Sequence, residues 1–313
     1  MMPASPPRAA AVDGVLLLDK PLGITSNRAL QMARRLLGAS KAGHTGTLDP
    51  LASGLLPVAC GEAAKFSAGL LDADKTYRAV VALGVETTTA DAEGDVVARR
   101  SVAVAADRLG ATLAEFVGTI DQVPPMHSAL KREGKALYEY ARAGIEVERA
   151  ARRVTIHALR LLAAQFEPDA ERIEIEVACS KGTYIRVLAQ DIGRRLGCGA
   201  HLAGLRRTRV GHLSIDDAVT LDTLDEMTLT ARRARLLPPE ALLGRMPRLD
   251  LDAEQSRRLR CGQRLALGLE PRAALQVYDE QGRLLGIAAV DTAGVLAARR
   301  LVTESNLESE FSS

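Results

Sequence analysis

Asp49, Tyr77 and Arg186, a carboxylate, a phenol and a guanidinium, are candidates for acid–base or nucleophilic chemistry. Asp49 stands in KAGHTGTLDPLASGLLPVACG, residues 41–61, between Leu48 and Pro50. Pro50 has no backbone donor and disfavours helix at the residue before it. Gly43, Gly46 and Gly54 allow a tight loop that another backbone can approach closely. The small and apolar residues from Ala52 to Ala59 then carry the chain back into a core. This predicts one acid fixed in a loop against an apolar floor. An Asp-Pro turn that hydrogen-bonds its own backbone is the structural alternative. Tyr77 begins an alternating run to Leu83, which predicts a strand and a ring at a sheet edge beside a cleft. Tyr184 and Arg186 face the same side if the chain is extended after Gly182 and Thr183. A fixed guanidinium from Arg186 would offset the desolvation of Asp49 and aim its carboxylate.

Several elements must position these groups. Gly14 to Asp19 reads as a short buried strand. Thr25 or Ser26 can cap a helix whose Leu30, Ala33 and Leu37 share one face and which Gly38 ends. Phe66, Leu70 and Leu71 suit a helix packed on the core. Leu109, Leu113, Phe116 and Val117 give helical spacing over 104–120. The segment TTTADAEGDVV reads as a polar turn into a strand, with Asp91 in a structural role first and, as the alternative, a polar neighbour of the site. Ile173 to Val177 alternates as a half-exposed strand, and Val187 to Leu196 is helical up to Gly197. From about Leu249 the character changes. A short polar helix is followed by a hairpin turning at Glu280, Gln281 and Gly282, and Gly294 to Val302 adds a third strand.

Composition narrows the classes. The 313 residues suit one large domain, or a large one with a small one. Hydrophobic residues make up 47% and aromatics only 3%, with no Trp, so the core is aliphatic. A net charge of +2 excludes a uniformly basic surface. Arginines cluster at 206, 207 and 209, at 232, 233 and 235, and at 257, 258, 260 and 264. Each cluster alone reads as a solvated helix face, and together they permit a phosphate-binding surface. Residues 124–153 are basic, with Lys131, Arg132, Lys135, Arg142, Arg149, Arg152 and Arg153 around Tyr138 and Tyr140. That pattern suits a nucleic-acid backbone. Four distant cysteines suggest neither disulfides nor zinc, and the scattered histidines suggest no metal. SKGT lacks the GxxxxGK pattern, so no nucleotide or other cofactor is expected. No signal peptide and no bilayer-spanning stretch is evident, which predicts a cytoplasmic protein. Residues 1–12 and 304–313 read as disordered tails.

GHTGTLDPLASGLLPV resembles the catalytic motif of the bacterial tRNA pseudouridine-55 synthases, the TruB family. DKPLGITS at 19–26, KTYRA at 75–79, GTYIR at 182–186 and the Leu205 region extend the resemblance over nearly the whole chain. It implies an α+β fold, with a mixed, mainly antiparallel central sheet and flanking helices. The catalytic domain would span 13–247, with an RNA-clamping insertion at about 124–153. Residues 248–303 resemble a small β-rich PUA domain, an RNA-binding module. The implied reaction detaches uridine at N1, turns the base and rejoins it to the ribose through C5, at position 55 in the T loop of tRNA. The base must first be flipped out. By resemblance, Asp49 is the nucleophile or the base of a glycal route. Tyr77 stacks on the uracil and assists at C5, and Arg186 is the charge partner. Tyr184 and Leu205 line the pocket, His44 fills the space the base vacates, and Lys20 touches substrate phosphate. Position 127 departs from the pattern, with His where many members carry Tyr. The implied partner is tRNA, through T loop and T stem, with the acceptor stem on the C-terminal domain. A monomer without cofactor, metal, membrane or obligate protein partner is expected. Two other readings remain: a catalytically silent tRNA-binding or RNA-folding protein, and a guide-RNA-dependent synthase subunit.

Overall fold

The computed structural model describes residues 12–128, 130–167 and 171–303. The expected tails lie outside the described residues, apart from Val12. Val12 is not tail-like: it is buried with Leu16 and Leu30. The leading strand β1 (Gly14–Lys20) is followed by α1 (Ser26–Leu37), β2 (Ala42–His44), β3 (Ala52–Cys60) and β4 (Lys75–Leu83). Next come β5 (Gly118–Gln122), β6 (Arg152–Gln165), β7 (Arg172–Cys179), α2 (Ile185–Leu196), β8 (Ala200–Val210) and β9 (Val219–Thr220). They build one sheet in the order β9-β1-β3-β8-β4-β7-β6-β5, with β2 paired to β3. Only the β1–β9 and β3–β8 pairs along this path are parallel. The fold is α+β, with a mixed and mainly antiparallel sheet.

β1 and β3 read as unbroken apolar runs because both of their faces are covered. Leu16, Leu18, Leu56 and Val58 pack on α1. Val15, Leu17, Leu55 and Ala59 pack the other way, against Phe66, Leu70 and Leu242. α1 is capped as its sequence suggests. Thr25 accepts from the Arg28 N–H, and Gly38 takes the left-handed conformation at φ 67°. On the other half of the sheet, α2 and a helix at Ala106–Glu115 cover β4, β6 and β7.

Residues 248–301 form a second, five-stranded sheet, with strands Arg248–Asp250, Arg272–Tyr278, Leu284–Val290, Val295–Leu301 and Leu265–Ala266 in that order. It is joined to the first through apolar contacts. Tyr278 and Leu284 share a core with Val15, Phe66 and Leu70. Lys65 Nζ also donates to the Leu301 carbonyl at 3.3 Å and to Thr303 Oγ1 at 2.7 Å.

Several expectations need correction. Tyr77 is not at a sheet edge, because β4 is held by β8 on one side and β7 on the other. Leu71 is 48% exposed rather than in the core. The helix expected over 104–120 stops at Glu115, since Gly118 opens β5 at φ 112°, a conformation glycine adopts freely. The Arg232–Arg235 run serves the fold. Arg232 and Arg233 donate to the Leu36 and Leu37 carbonyls at the end of α1, and Arg235 donates to the Asp217 carbonyl. These are the carbonyls a helix C-terminus leaves without partners.

Candidate active site

The loop between β2 and β3 carries Asp49, and a neighbouring helix holds it in place. Ser26, in the first turn of α1, donates through Oγ to the Leu48 carbonyl at 2.9 Å and accepts from the Leu48 N–H at 2.8 Å. Both groups are buried, so the residue before Asp49 is pinned by two hydrogen bonds from one hydroxyl. Gly23 N–H donates to the Pro50 carbonyl at 2.9 Å and anchors the other side. Asp49 is thereby presented over a cavity of about 290 Å³ lined by Tyr77, Tyr184, Arg186, Leu205 and Arg207. Cavities of about 630 and 870 Å³ elsewhere hold no such convergence with Asp49.

Arg186 organises the site. Its Nη2 donates to Asp49 Oδ2 at 2.5 Å and to the His127 carbonyl at 3.0 Å, and its Nη1 donates to Asp91 Oδ2 at 3.1 Å. The burial is distributed differently from the expectation. Arg186 and Asp91 are 9% and 4% exposed, whereas the Asp49 side chain is 51% exposed. The enclosed pair is Arg186–Asp91, and Asp49 is the carboxylate left open to the cleft. A guanidinium fork can serve two carboxylates at once, which an ammonium cannot do with fixed geometry.

Arg186 is not on an extended segment. α2 begins at Ile185, so Arg186 sits in its first turn and Tyr184 is the N-cap residue. Gln122 sets this helix start. Its side-chain carbonyl accepts from the Tyr184 N–H at 3.0 Å, and its amide donates to the Tyr184 carbonyl at 3.3 Å. Tyr184 and Arg186 still reach the same cleft. Burial raises the Tyr184 phenol above its ordinary value.

Asp91 is the residue that sequence reasoning undervalued. Its polar surroundings, Thr89 and Glu93, looked like a solvated turn. The turn is folded inward: Ala92 N–H donates to the Leu202 carbonyl, and Leu202 N–H donates to the Ala90 carbonyl. Thr89 Oγ1 donates to Asp91 Oδ1 at 2.5 Å, and the Glu93 N–H donates to the same oxygen. An acid shortly after three consecutive threonines, Thr87 to Thr89, was the available signal. His127 contributes its backbone carbonyl to the site, where it accepts from Arg186 Nη2.

Leu205 and Arg207 alternate along β8, opposite Ala79 and Tyr77 of β4. Tyr77 is partly buried, and burial raises its phenol, with Arg207 beside it acting in the opposite direction. Lys20 is not a surface phosphate contact. It is fully buried, and its Nζ donates to the Pro21 and Ile24 carbonyls at 2.8 and 2.7 Å. Burial lowers it to about 8, and the Asp49 charge opposes that shift. His44 lies on β2 opposite Val58, outside the cavity lining, and burial lowers its imidazole. It is therefore the neutral form that the loop presents.

The chain has known relatives. The model of the TruB family pseudouridylate synthase N-terminal domain matches residues 34–185. Those of the tRNA pseudouridylate synthase B C-terminal domain and of the pseudouridine synthase II TruB C-terminus match 186–244 and 247–302. The tRNA pseudouridine synthase B of Ralstonia pickettii (strain 12J) is 58% identical over 310 residues, 96% of this chain and 97% of the relative. The chain belongs to the TruB family. A second member, tRNA pseudouridine synthase B of Aromatoleum aromaticum (strain DSM 19018 / LMG 30748 / EbN1), is 56% identical over 93% of both chains. Among solved structures, the chain is similar to one in a Cbf5-Nop10-Gar1 complex, with a TM-score of 0.67 and 25% identity over 94% of this chain and 84% of that one. Among the described residues, no helix is long and apolar enough to cross a membrane.

Proposed function

We propose that the protein isomerises uridine to pseudouridine at position 55 in the T loop of tRNA, as a stand-alone enzyme. The observation that carries this reading is Asp49: half open to the cleft, held by Arg186 and faced by Tyr77 and Leu205. Isomerisation needs no external nucleophile, because the uracil that leaves is also the group that returns. Asp49 attacks the ribose or removes its C2′ proton while the N1 glycosidic bond breaks. The uracil turns against Tyr77 and rejoins through C5, which then loses its proton, and Tyr77 assists there. Tyr184 and Leu205 bound the base, and neutral His44 fills the gap in the T loop.

The catalytic domain is assigned to 13–247 and the tRNA acceptor stem to 248–303. In the insertion, Lys135 stacks over Tyr140 and Arg142 over Tyr138, at 5.1 and 5.3 Å from the ring centroids. Such cation–ring pairs on an exposed hairpin and helix suit an RNA backbone. We assign a monomer acting in the cytoplasm, with Lys20 supporting the Asp49 loop from behind.

The test uses purified protein and a tRNA transcript, with no guide RNA or protein partner. Pseudouridine at one T-loop uridine is the expected product. Asp49→Asn should abolish it while tRNA affinity stays nearly unchanged. Turnover comparable to wild type in that variant would refute the assignment. A requirement for guide RNA would favour the guide-dependent reading.

A further inference from the structure

Arg207 is among the largest fully enclosed side chains of the protein, at 1% exposure. Among the described residues it forms no ion pair with a carboxylate. Its Nε donates to the Leu55 carbonyl at 2.8 Å and its Nη2 to the Gly46 carbonyl at 3.0 Å. Its neighbour on β4 is Tyr77, which lines the same cavity, and the guanidinium opposes the rise that burial imposes on the Tyr77 phenol. Sheet register brings them together, since Arg207 is paired directly with Tyr77 across β8 and β4. On its other side Arg207 is paired with Gly54 of β3. The approach there is so close that a Cβ on Gly54 would lie 2.3 Å from the Arg207 carbonyl oxygen. Gly54 also has φ 104°, so no other residue fits without moving β8.

A guanidinium is too basic to lose its proton in a protein, so folding buries this charge. Two backbone carbonyls accept from it without neutralising it. The acidic group paired beside it in register is the Tyr77 phenol. One cation thus holds the loop that carries Asp49, through Gly46, and stands beside the ring that faces Asp49.

We infer that Arg207 is a positioning residue for the isomerisation, fixing the Tyr77 phenol relative to the Asp49 loop through one guanidinium. The inference rests on the catalytic reading for its effect on rate. The contact itself is tested apart from that reading. Because Arg207 lies beside Tyr77 across β8 and β4, its guanidinium charge favours the ionised phenol. Lys cannot hold both carbonyls and keep its charge in the same place beside the ring, since it lacks the planar fork.

Two measurements on the full chain decide it. The chain has five Tyr and no Trp, so phenolate absorbance is free of indole. The difference between the wild-type and Tyr77→Phe alkaline titrations isolates Tyr77, with no RNA present. In an Arg207→Gln background that component should move to higher pH; an unmoved component overturns the contact. Single-turnover rates form the second arm. Arg207→Gln and Arg207→Lys should each slow the reaction about a hundredfold, as small misplacements do, with tRNA affinity nearly unchanged. Wild-type rates, or rate and affinity lost in equal measure, would overturn the positioning role. If Arg207→Gln does not fold, Arg207→Lys carries both arms: a Tyr77 titration displaced from wild type and a slowed rate support the role, and wild-type values for either overturn it. Loss of the catalytic reading alone would leave the titration result standing.

Discussion

Cations beneath the cleft and cations on the C-terminal sheet are held in opposite ways. Lys20, Lys75 and Arg207 are 0%, 8% and 1% exposed, and each donates to backbone carbonyls. Lys75 Nζ alone reaches the carbonyls of Leu70, Leu71 and Ala73. On the C-terminal unit, Arg248, Arg257 and Arg264 are more than half exposed and each is paired with a carboxylate, Asp250, Glu254 and Asp291 respectively. A carboxylate partner cancels charge. A carbonyl partner satisfies the donor but leaves the charge in place, in a medium that screens it poorly. The cleft floor therefore keeps a positive field under Asp49 and under any bound polyanion, while the surface arginines are locally neutralised. Hydrogen-bond satisfaction and charge neutralisation are separable, and this protein separates them by location.

The sharpest break of that comparison is Arg186, the one buried cleft cation that does have carboxylate partners. Arg186→Met would leave Asp91 enclosed without a counter-charge. Such a loss costs roughly 3–5 kcal/mol, to be read from urea unfolding, and turnover should vanish with it. Stability close to wild type would mean that the enclosed Arg186–Asp91 pair does not organise the site. Next in size is the uncharged control, Ser26. Ser26→Ala removes both hydrogen bonds to Leu48 and leaves buried backbone groups unpaired. About 1–3 kcal/mol should be lost, with a slower rate as the Asp49 loop loosens. An unchanged rate would mean that the loop is held from elsewhere.

How far the sequence carried this picture depends on whether the signal was local. The β1 and β3 runs, the Thr25 cap and Gly38 stop of α1, and the Asp49 loop with its glycines were all legible from residue type and spacing. Tyr77, Tyr184, Arg186 and Leu205 were placed in one cleft by resemblance, and they line one cavity. What stayed hidden was set by long-range packing. Whether Tyr77 lay at an edge depended on β7 and β8, about a hundred residues or more away. Asp91 looked solvated until its turn was bridged to Leu202. Lys20 and Arg207 looked like phosphate contacts because charge in a sequence reads as exposure. Arg232 and Arg233 misled in the same way, since the carbonyls they cap belong to a helix some two hundred residues earlier. Asp49 was expected to be enclosed, and only the fold shows that Arg186 takes the buried place.

Lys20 tests the carbonyl-held class by pH. Its ammonium titrates near 8 in the folded chain, against an ordinary 10.5. Between those values the unfolded chain binds the extra proton, so unfolding free energy should rise with pH across that window. Below pH 8 the charged form is present in both states and the contribution is flat. Lys20→Met should remove this component, making the pH 8 to 10.5 limb of the stability profile shallower than wild type. Lys75, lowered by burial in the same direction, would keep part of the slope. An identical limb in the variant would show that the Lys20 charge is not strained by its enclosure.

The smallest effect belongs to the surface class. Arg257 grips Glu254 with two hydrogen bonds, at 2.8 and 2.7 Å, yet both side chains are more than 60% exposed. Water and salt compete for such a pair, and holding two long side chains costs entropy. Arg257→Ala should leave the unfolding midpoint unchanged at physiological salt. The informative readout is instead tRNA binding against salt concentration. A phosphate contact releases counterions, so losing one lowers the slope of log affinity against log salt by about one unit. A lower slope with unchanged stability would place Arg257 on the RNA, with Glu254 as its partner only while the RNA is absent. An unchanged slope would leave the pair as a feature of the helix surface. A shift in unfolding midpoint would break the comparison itself, because it would show that an exposed, neutralised arginine can stabilise this fold as the buried ones do.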